Sequence, residues 1–151
     1  MPSRDDLDNA YRATHYHVFA EAPFILTIDQ YSHALADLYA RHGIDHCAYL
    51  TACNPYSRLL EAADNARRQA ALGRASQRRG IILIDGSSRD PSGQWPAEAG
   101  ILALGLGRHA ACRLAARFGQ NAIVYCGPSA IPELVWLDPD PSSPSRTALL
   151  F

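Results

Sequence analysis

The sequence predicts a single layered α/β domain with a mixed sheet, mostly parallel at its centre, flanking helices and an N-terminal β-hairpin. Strand-like and helix-like segments alternate from residue 46 to residue 126, which is typical of a layered sheet. The run Ile81-Ile82-Leu83-Ile84 is apolar throughout, as expected of a strand that is buried on both faces. Two short apolar runs, 17–20 and 24–28, predict a hairpin or a bent strand pair, and α+β is the alternative class.

The first elements each have a local signal. A short helix is predicted over residues 5–13, because three aspartates occupy its first turn, where the helix dipole favours carboxylates. After the hairpin, apolar residues at helical spacing predict a second helix that begins near Ser32 and ends at Gly43. The mostly apolar segment 46–52 predicts the next strand.

The middle of the chain predicts one long helix and one long loop. Asn54-Pro55 combines a preferred N-cap with a residue that suits the first helical position, so we expect a helix from this point to Arg79. Residues 85–100 lack periodicity and contain three glycines and two prolines. This composition predicts a 16-residue loop between strands at 81–84 and 101–106.

The remaining elements are a helix and two strands. Residues 108–118 have an amphipathic helical pattern, and the apolar segments 122–125 and 134–137 predict strands. We expect one globular domain over residues 1–137, since a chain of this length buries roughly 70% of its unfolded surface. The segment 138–151 is rich in Pro and Ser, which predicts a poorly ordered tail.

The composition excludes several kinds of chemistry. The 151 residues contain 14 Arg, no Lys, 11 Asp and 4 Glu, so the net charge is −1 with neutral His. Without lysine there is no Schiff-base or P-loop lysine, and the charge balance does not indicate a general nucleic-acid or membrane-surface binder. No apolar run reaches the ~20 residues of a membrane span. Four cysteines without CxxC spacing or a leader segment predict a reduced, cytoplasmic chain.

Polar side chains follow two predicted strands and define the candidate site. The turn and helix after strand 46–52 contribute four of them, and the loop 85–100 adds an arginine, two carboxylates and an aromatic stacking surface. Because open α/β sheets bind ligands at the edge where their strands end, we expect these groups to converge on one pocket. The candidates are Asn54, Ser57, Asn65 and Arg68 from the first segment, and Arg89, Asp90, Trp95 and Glu98 from the second.

Other features predict alternative functions. Cys53 precedes a predicted helix N-terminus, which lowers a thiol pKa, but no histidine nearby in the sequence is placed to act as its base. The histidines lack the spacing of a zinc site, so no metal or cofactor is indicated. The alternative is an interaction module that contacts protein, or less favourably nucleic acid, through Arg67, Arg74, Arg78, Arg113 and Arg117. A third alternative is a structural subunit that forms a homodimer through an exposed sheet edge or through its hydrophobic tail.

Three motifs resemble a known family. They are the run from Thr51 to Ser57 (TACNPYS), the run from Arg89 to Glu98 (RDPSGQWPAE) and Phe118-Gly119-Gln120-Asn121-Ala122. Together they are similar to the bacterial family known as domain of unknown function 3293, over roughly residues 11–135. The resemblance implies a small, single-domain, cytoplasmic bacterial protein without an established activity. It adds Gln120 and Asn121 to the candidate site.

From these observations we expect a small polar or anionic ligand, nucleotide-like in character, at the sheet edge. Arg89 or Arg68 would hold an anionic group, and Trp95 would stack on a planar part of the ligand. Asn54 and Asn121 would orient it by hydrogen bonds. The carboxylates placed for general acid–base catalysis, of the kind a hydrolase or transferase uses, are Asp90 and Glu98.

Overall fold

The computed structural model describes residues 3–77 and 81–137. The helices are α1 (Arg4–Ala13), α2 (His33–His42), α3 (Ala62–Gln77) and α4 (Arg108–Arg117), and a 3₁₀ turn covers Pro55–Ser57. The strands are β1 (His15–Val18), β2 (Phe24–Leu26), β3 (Cys47–Leu50), β4 (Ile82–Arg89), β5 (Glu98–Leu104), β6 (Ala122–Cys126) and β7 (Pro132–Trp136). The predicted helix end at Arg79 and the predicted tail over 138–151 lie outside the described residues.

The strands form one sheet in the order β2-β1-β4-β5-β3-β6-β7, and each neighbouring pair runs antiparallel. The predicted α/β sheet with a mostly parallel centre is therefore wrong. Helices pack against both faces of this antiparallel sheet, so its central strands are apolar on both faces. That pattern is typical of parallel sheets, which explains the error. The predicted N-terminal hairpin is present, because β1 pairs with β2.

Each face of the sheet has its own core. Alternate residues of the central strands pack with α2 on one face, which we call the α2 face; they include Cys47, Tyr49, Leu102 and Val124. The intervening residues pack with α3 and α4 on the other face, which we call the α4 face; they include Ala48, Leu50, Ile101 and Ile123. This alternation assigns every strand residue to one side of the sheet or the other.

The first two helices begin and end where local signals predict. Ser3 caps α1 in a capping box with Asp6, which satisfies two backbone donors at the helix start. Ser32 caps α2 by accepting a hydrogen bond from the Leu35 amide at 3.1 Å. Gly43 ends α2 with φ of 64°, a left-handed conformation that costs glycine little. The predicted helix from Ser32 to Gly43 is confirmed.

β4 and β5 form a hairpin where the sequence predicts a 16-residue loop. The two strands continue toward each other, so the connecting loop covers only residues 90–97. Gly86 pairs with Gly100 in this hairpin, and the ring of Tyr49 lies over both. A Cβ at Gly86 would lie 2.9 Å from Tyr49 Cε2, and one at Gly100 would lie even closer to the Tyr49 hydroxyl. The two glycines therefore make room for an aromatic ring on the α2 face, and at Gly86 the His17 carbonyl of β1 also leaves no space for a Cβ.

The long helix predicted from Asn54 does not begin there. A 3₁₀ turn follows Asn54, and α3 begins only at Ala62. Asn54, Tyr56 and Ser57 have φ values of 47°, 53° and 61°, in the left-handed region that residues with a Cβ rarely adopt. The Tyr56 amide donates to the Gly119 carbonyl at 2.7 Å. A contact with a distant turn thus replaces the helix start that the local sequence predicts.

Candidate functional site

A cavity of about 130 Å³ lies on the α2 face, between the sheet and α1. Strand residues that include Tyr16, Tyr49 and Val124 line it from the sheet, and Leu7 and Ala10 line it from α1. The connections that follow β3, precede β5 and precede β6 complete the wall. Of the residues predicted from the sequence, the cavity lining includes Asn54, Ser57, Trp95, Glu98, Gln120 and Asn121.

Asn54 is buried, 9% exposed, and its side chain is fully engaged. Its Oδ1 accepts hydrogen bonds from the Leu60 amide and from Asn65 Nδ2, both at 2.9 Å. Because the Leu60 amide can only donate, the orientation of the Asn54 amide is determined by its partners. Its Nδ2 therefore faces the cavity, where it donates to Glu98 Oε2 at 3.2 Å.

Glu98 is the ionisable carboxyl of this cavity. Burial raises its pKa to about 7, although the hydrogen bond from Asn54 acts in the opposite direction. The pKa values of Tyr16, Tyr49 and Cys53, which line the same cavity, are also raised by burial. A carboxyl with a pKa of about 7 can give or take a proton at neutral pH, whereas its neighbours stay protonated there.

Tyr49 carries a buried hydroxyl on the cavity wall. Its side chain is 3% exposed, and its Oη has no hydrogen-bond partner among the described residues. The ring of Tyr16 packs edge-on against that of Tyr49, with centroids 5.2 Å apart. By comparison, the buried Tyr39 Oη donates to the carbonyls of Cys126 and Gly127, each at 3.0 Å. A buried hydroxyl without a partner lowers stability, so the hydroxyl of Tyr49 does not serve to stabilise the fold.

Asn121 and Gln120 hold the other rim of the cavity. Asn121 is 7% exposed, and its Nδ2 donates to Ser57 Oγ at 3.0 Å and to Tyr11 Oη at 3.4 Å. Gln120 Nε2 donates to the Cys53 carbonyl at 3.1 Å. These bonds tie the segment after α4 both to the strained 54–57 turn and to α1.

α1 covers the cavity through side-chain contacts. None of its residues is buried, although Tyr11 packs against Trp136 with ring centroids 5.7 Å apart. Trp136 Nε1 donates to Asp8 Oδ2 at 2.9 Å, and Arg4 lies over the same indole ring. The pKa of Asp8 is lowered, first by the hydrogen bond from Trp136 and then by that from Arg12. The cover is therefore attached mainly to β7.

Four predicted site residues do not line the cavity. Arg68 donates to the backbone carbonyls of Ala52 and Phe118, and Asn65 supports the Asn54 backbone, so both position the turn. Asp90 accepts from the amides of Ser92, Gln94 and Trp95 and thereby shapes the 90–97 loop. Arg89 is exposed on the α4 face, because it follows Ser88 by one residue in a strand. The predicted convergence of these groups with Glu98 is not observed.

The sequence does not predict the aromatic wall of the cavity, which consists of Tyr11, Tyr16 and Tyr49, or the cover that α1 provides. One signal was present in the sequence. Isolated glycines within apolar strand patterns indicate that another group approaches the backbone closely, and Gly86 and Gly100 have this role toward Tyr49.

The remaining sequence features lie outside the cavity or differ from expectation. Burial raises the pKa of Cys53, contrary to the lowered thiol pKa predicted from a helix start at Asn54. Arg67 pairs with Asp64 on α3, and Arg113 is exposed on α4. Among residues 3–77 and 81–137, no three His, Cys, Asp or Glu side chains form a group that could hold a metal. Within the same ranges, each helix is too short or too polar to span a bilayer.

The chain is therefore a protein with one antiparallel sheet, helices on both faces of that sheet and a cavity under α1 that has polar residues at one end. The family described as "Protein of unknown function (DUF3293)" matches residues 50–123, which confirms the resemblance of the motifs. The matched segment is just under half of the chain and contains Asn54, Glu98 and Asn121 but not α1. No curated protein and no solved structure matches the chain.

Proposed function

We propose that the chain binds a small, uncharged molecule in the cavity under α1, with Glu98 and Asn54 at its polar end. The observation that carries the proposal is the hydrogen bond of 3.2 Å from the buried Asn54 to the half-buried Glu98, inside a largely apolar cavity. A carboxyl with a perturbed pKa in a cleft is typical of functional sites, since burying it lowers stability. The strained backbone of the adjacent turn supports the same interpretation.

The size and charge of the cavity favour a ring-sized ligand. A cavity of about 150 Å³ takes up a benzene-sized molecule, and this cavity is slightly smaller, about 130 Å³. In the described part of the chain, none of the residues that line it is basic. The cavity therefore supports an uncharged ligand better than the anionic, nucleotide-like ligand that the sequence predicts.

Acid–base chemistry is the reaction class that this site supports. Glu98 can exchange a proton with a bound molecule at neutral pH. Hydrolysis or group transfer through a covalent intermediate needs an activated nucleophile. Cys53 lines the cavity, but the raised pKa of its thiol disfavours the reactive thiolate.

Binding of small probes tests the proposal. Benzene, cyclohexanone and methylcyclohexane serve as uncharged probes and inorganic phosphate as an anionic one, with thermal unfolding as the readout. A probe at 100 times its Kd adds about 2.7 kcal/mol of stability, which raises Tm by several degrees. We expect at least one uncharged probe to stabilise the protein and phosphate to leave it unchanged.

Two variants show where the probe binds. Ala10→Phe places a ring into the cavity from α1, a helix without buried residues, and should abolish the stabilisation. Arg89→Ala is the matched control, because Arg89 lies on the opposite face and should not affect binding. Stabilisation by phosphate that depends on Arg89, without any response to the uncharged probes, would contradict the proposal.

A reducing, cytoplasmic setting and a bacterial origin are part of the proposal. The cytoplasmic setting is supported by four free thiols among the described residues. Cys47 and Cys126 are direct partners on neighbouring strands and yet form no disulfide. The interaction module and the homodimer stay predictions, and sedimentation of the full chain measures the second.

A further inference from the structure

The Tyr49 hydroxyl is the polar group in the cavity that the protein leaves unsatisfied. Its atoms are buried, it lacks a hydrogen-bond partner within the described ranges, and it lines the cavity. Two glycines, Gly86 and Gly100, keep the backbone clear for this ring. A phenylalanine would fill the same space without a buried polar atom, so the hydroxyl indicates a ligand that accepts its proton.

The fold places Glu98 next to this hydroxyl. Tyr49 pairs with Leu102 across β3 and β5, and its ring extends along β5 so that its Oη lies over Gly100. Glu98 precedes Gly100 by two residues in the same strand, and residues two apart point to the same face. The carboxyl and the hydroxyl therefore lie on the same face of the sheet and line one cavity, and Glu98 is close enough to act electrostatically on Tyr49.

We propose that the oxygen of a small, uncharged carbonyl compound binds between Tyr49 and Glu98 and accepts a hydrogen bond from each. This inference rests on the proposed function, because it names the ligand class for the same cavity. Tyr49 Oη–H is one donor. Glu98 Oε2 already accepts from Asn54, so the proton of the neutral carboxyl belongs on Oε1, which is the second donor.

A carbonyl group fits this pair of donors better than other groups do. Its oxygen has two lone pairs and no proton, so it can satisfy both donors at once. A hydrocarbon would leave the Tyr49 hydroxyl without a partner, and a carboxylate ligand would bring a second negative charge close to Glu98. Hydrogen bonds from two buried donors also stabilise negative charge that develops on a carbonyl oxygen during acid–base chemistry.

The test compares two probes of similar shape, cyclohexanone and methylcyclohexane, in wild type and in Tyr49→Phe. The Kd of cyclohexanone should rise about 3- to 10-fold in Tyr49→Phe, as expected for loss of one hydrogen bond, while that of methylcyclohexane stays the same or falls. The infrared C=O stretch of bound cyclohexanone should lie at lower frequency in wild type than in the variant. If Tyr49→Phe affects both probes equally, or neither, the carbonyl inference is overturned and cavity binding still stands. If neither probe binds wild type, the proposed function is wrong, and the carbonyl inference that rests on it is wrong as well.

Stability provides an independent readout with a matched control. Tyr49→Phe removes a hydroxyl without a partner and should leave Tm unchanged or raise it. Tyr39→Phe removes a hydroxyl that donates to two carbonyls, so its Tm should fall while its response to cyclohexanone stays that of wild type. A fall in Tm for Tyr49→Phe as large as that for Tyr39→Phe would show that the hydroxyl is already satisfied, which overturns the inference.

Discussion

At the scale of single residues, Glu98 links the cavity to the stability of the fold. Burial raises its pKa from 4.5 to about 7, so the folded chain keeps a proton that the unfolded chain has released. Between these pH values the folded state binds more protons, and the free energy of unfolding therefore falls as pH rises. Tyr16, Tyr49 and Cys53 face the same cavity, but their raised pKa values keep them protonated throughout this range.

Glu98→Gln should remove this pH dependence. Glutamine has nearly the shape of the neutral acid and can still accept the hydrogen bond from Asn54. As pH rises from 4 to 8, the free energy of unfolding of the variant should increase by up to about 3 kcal/mol relative to that of wild type. This is the free energy that corresponds to the rise in the pKa of Glu98 on folding. Urea unfolding of both proteins across this range measures the difference. Glu61→Gln changes an exposed glutamate and should follow the wild-type curve; a constant offset between Glu98→Gln and wild type would contradict the assignment.

At the scale of elements, the sequence predicted those whose signals lie within the element itself. α2 has both its N-cap at Ser32 and its glycine end at Gly43 in the local sequence, and it forms as predicted. The start of α3 and the β4–β5 hairpin depend on contacts with residues far away in the chain. Tyr56 bonds to the Gly119 carbonyl, and the ring of Tyr49 covers the glycines that resembled loop residues. The glycines can indicate that some group approaches the backbone closely, but no local pattern shows which residue it is.

The β4–β5 hairpin should tolerate a side chain at Gly100 poorly. Gly100→Ala places a Cβ against the Tyr49 ring and should lower stability by about 1–3 kcal/mol through overpacking. Gly73→Ala is the control, since no atom lies within 4 Å of its added Cβ and alanine favours a helix interior by about 0.5–1 kcal/mol. Chemical unfolding measures both. In a Tyr49→Leu background the Gly100→Ala penalty should shrink, and an unchanged penalty would place the clash elsewhere.

At the scale of the whole molecule, the strand order decides which predicted residues meet. Asn54, Glu98 and Asn121 are polar residues at strand ends, and the sequence identified them on that ground. Their grouping depends on β3 lying between β5 and β6, an order that periodicity does not contain. The sequence predicts Arg89 in the same pocket because the composition of residues 85–100 indicates a loop. These residues belong to β4, where successive side chains point to opposite faces of the sheet. Ser88 faces the cavity, so Arg89, the next residue, lies on the other face.

The arrangement of α1 on the sheet makes it the part of the molecule that can open over the cavity. It has no buried residue, and it is attached through Trp136, through Asn121, through the hydrogen bond from Tyr16 to its backbone and through the ion pair of Arg12 with Asp29. Elements held by few apolar contacts open at a lower free energy than the global unfolding transition. The strands under α1 belong to the two cores and should open only with the whole molecule.

Trp136→Phe should loosen α1 while leaving the sheet intact. Phenylalanine keeps a ring against Tyr11 but lacks the indole N–H that donates to Asp8. The free energy needed to open α1 should therefore fall by about the contribution of one hydrogen bond. Hydrogen exchange of the α1 amides should therefore speed up roughly two- to tenfold, with unchanged rates in β3 and β5.

Trp95→Phe, which changes the half-exposed tryptophan of the 90–97 loop, should leave α1 exchange as in wild type. Equal acceleration in α1 and in the central strands would mean that α1 unfolds only with the sheet, and ligand entry would then need another route. If α1 does open by itself, cyclohexanone bound beneath it should slow the exchange of α1 more than that of β3.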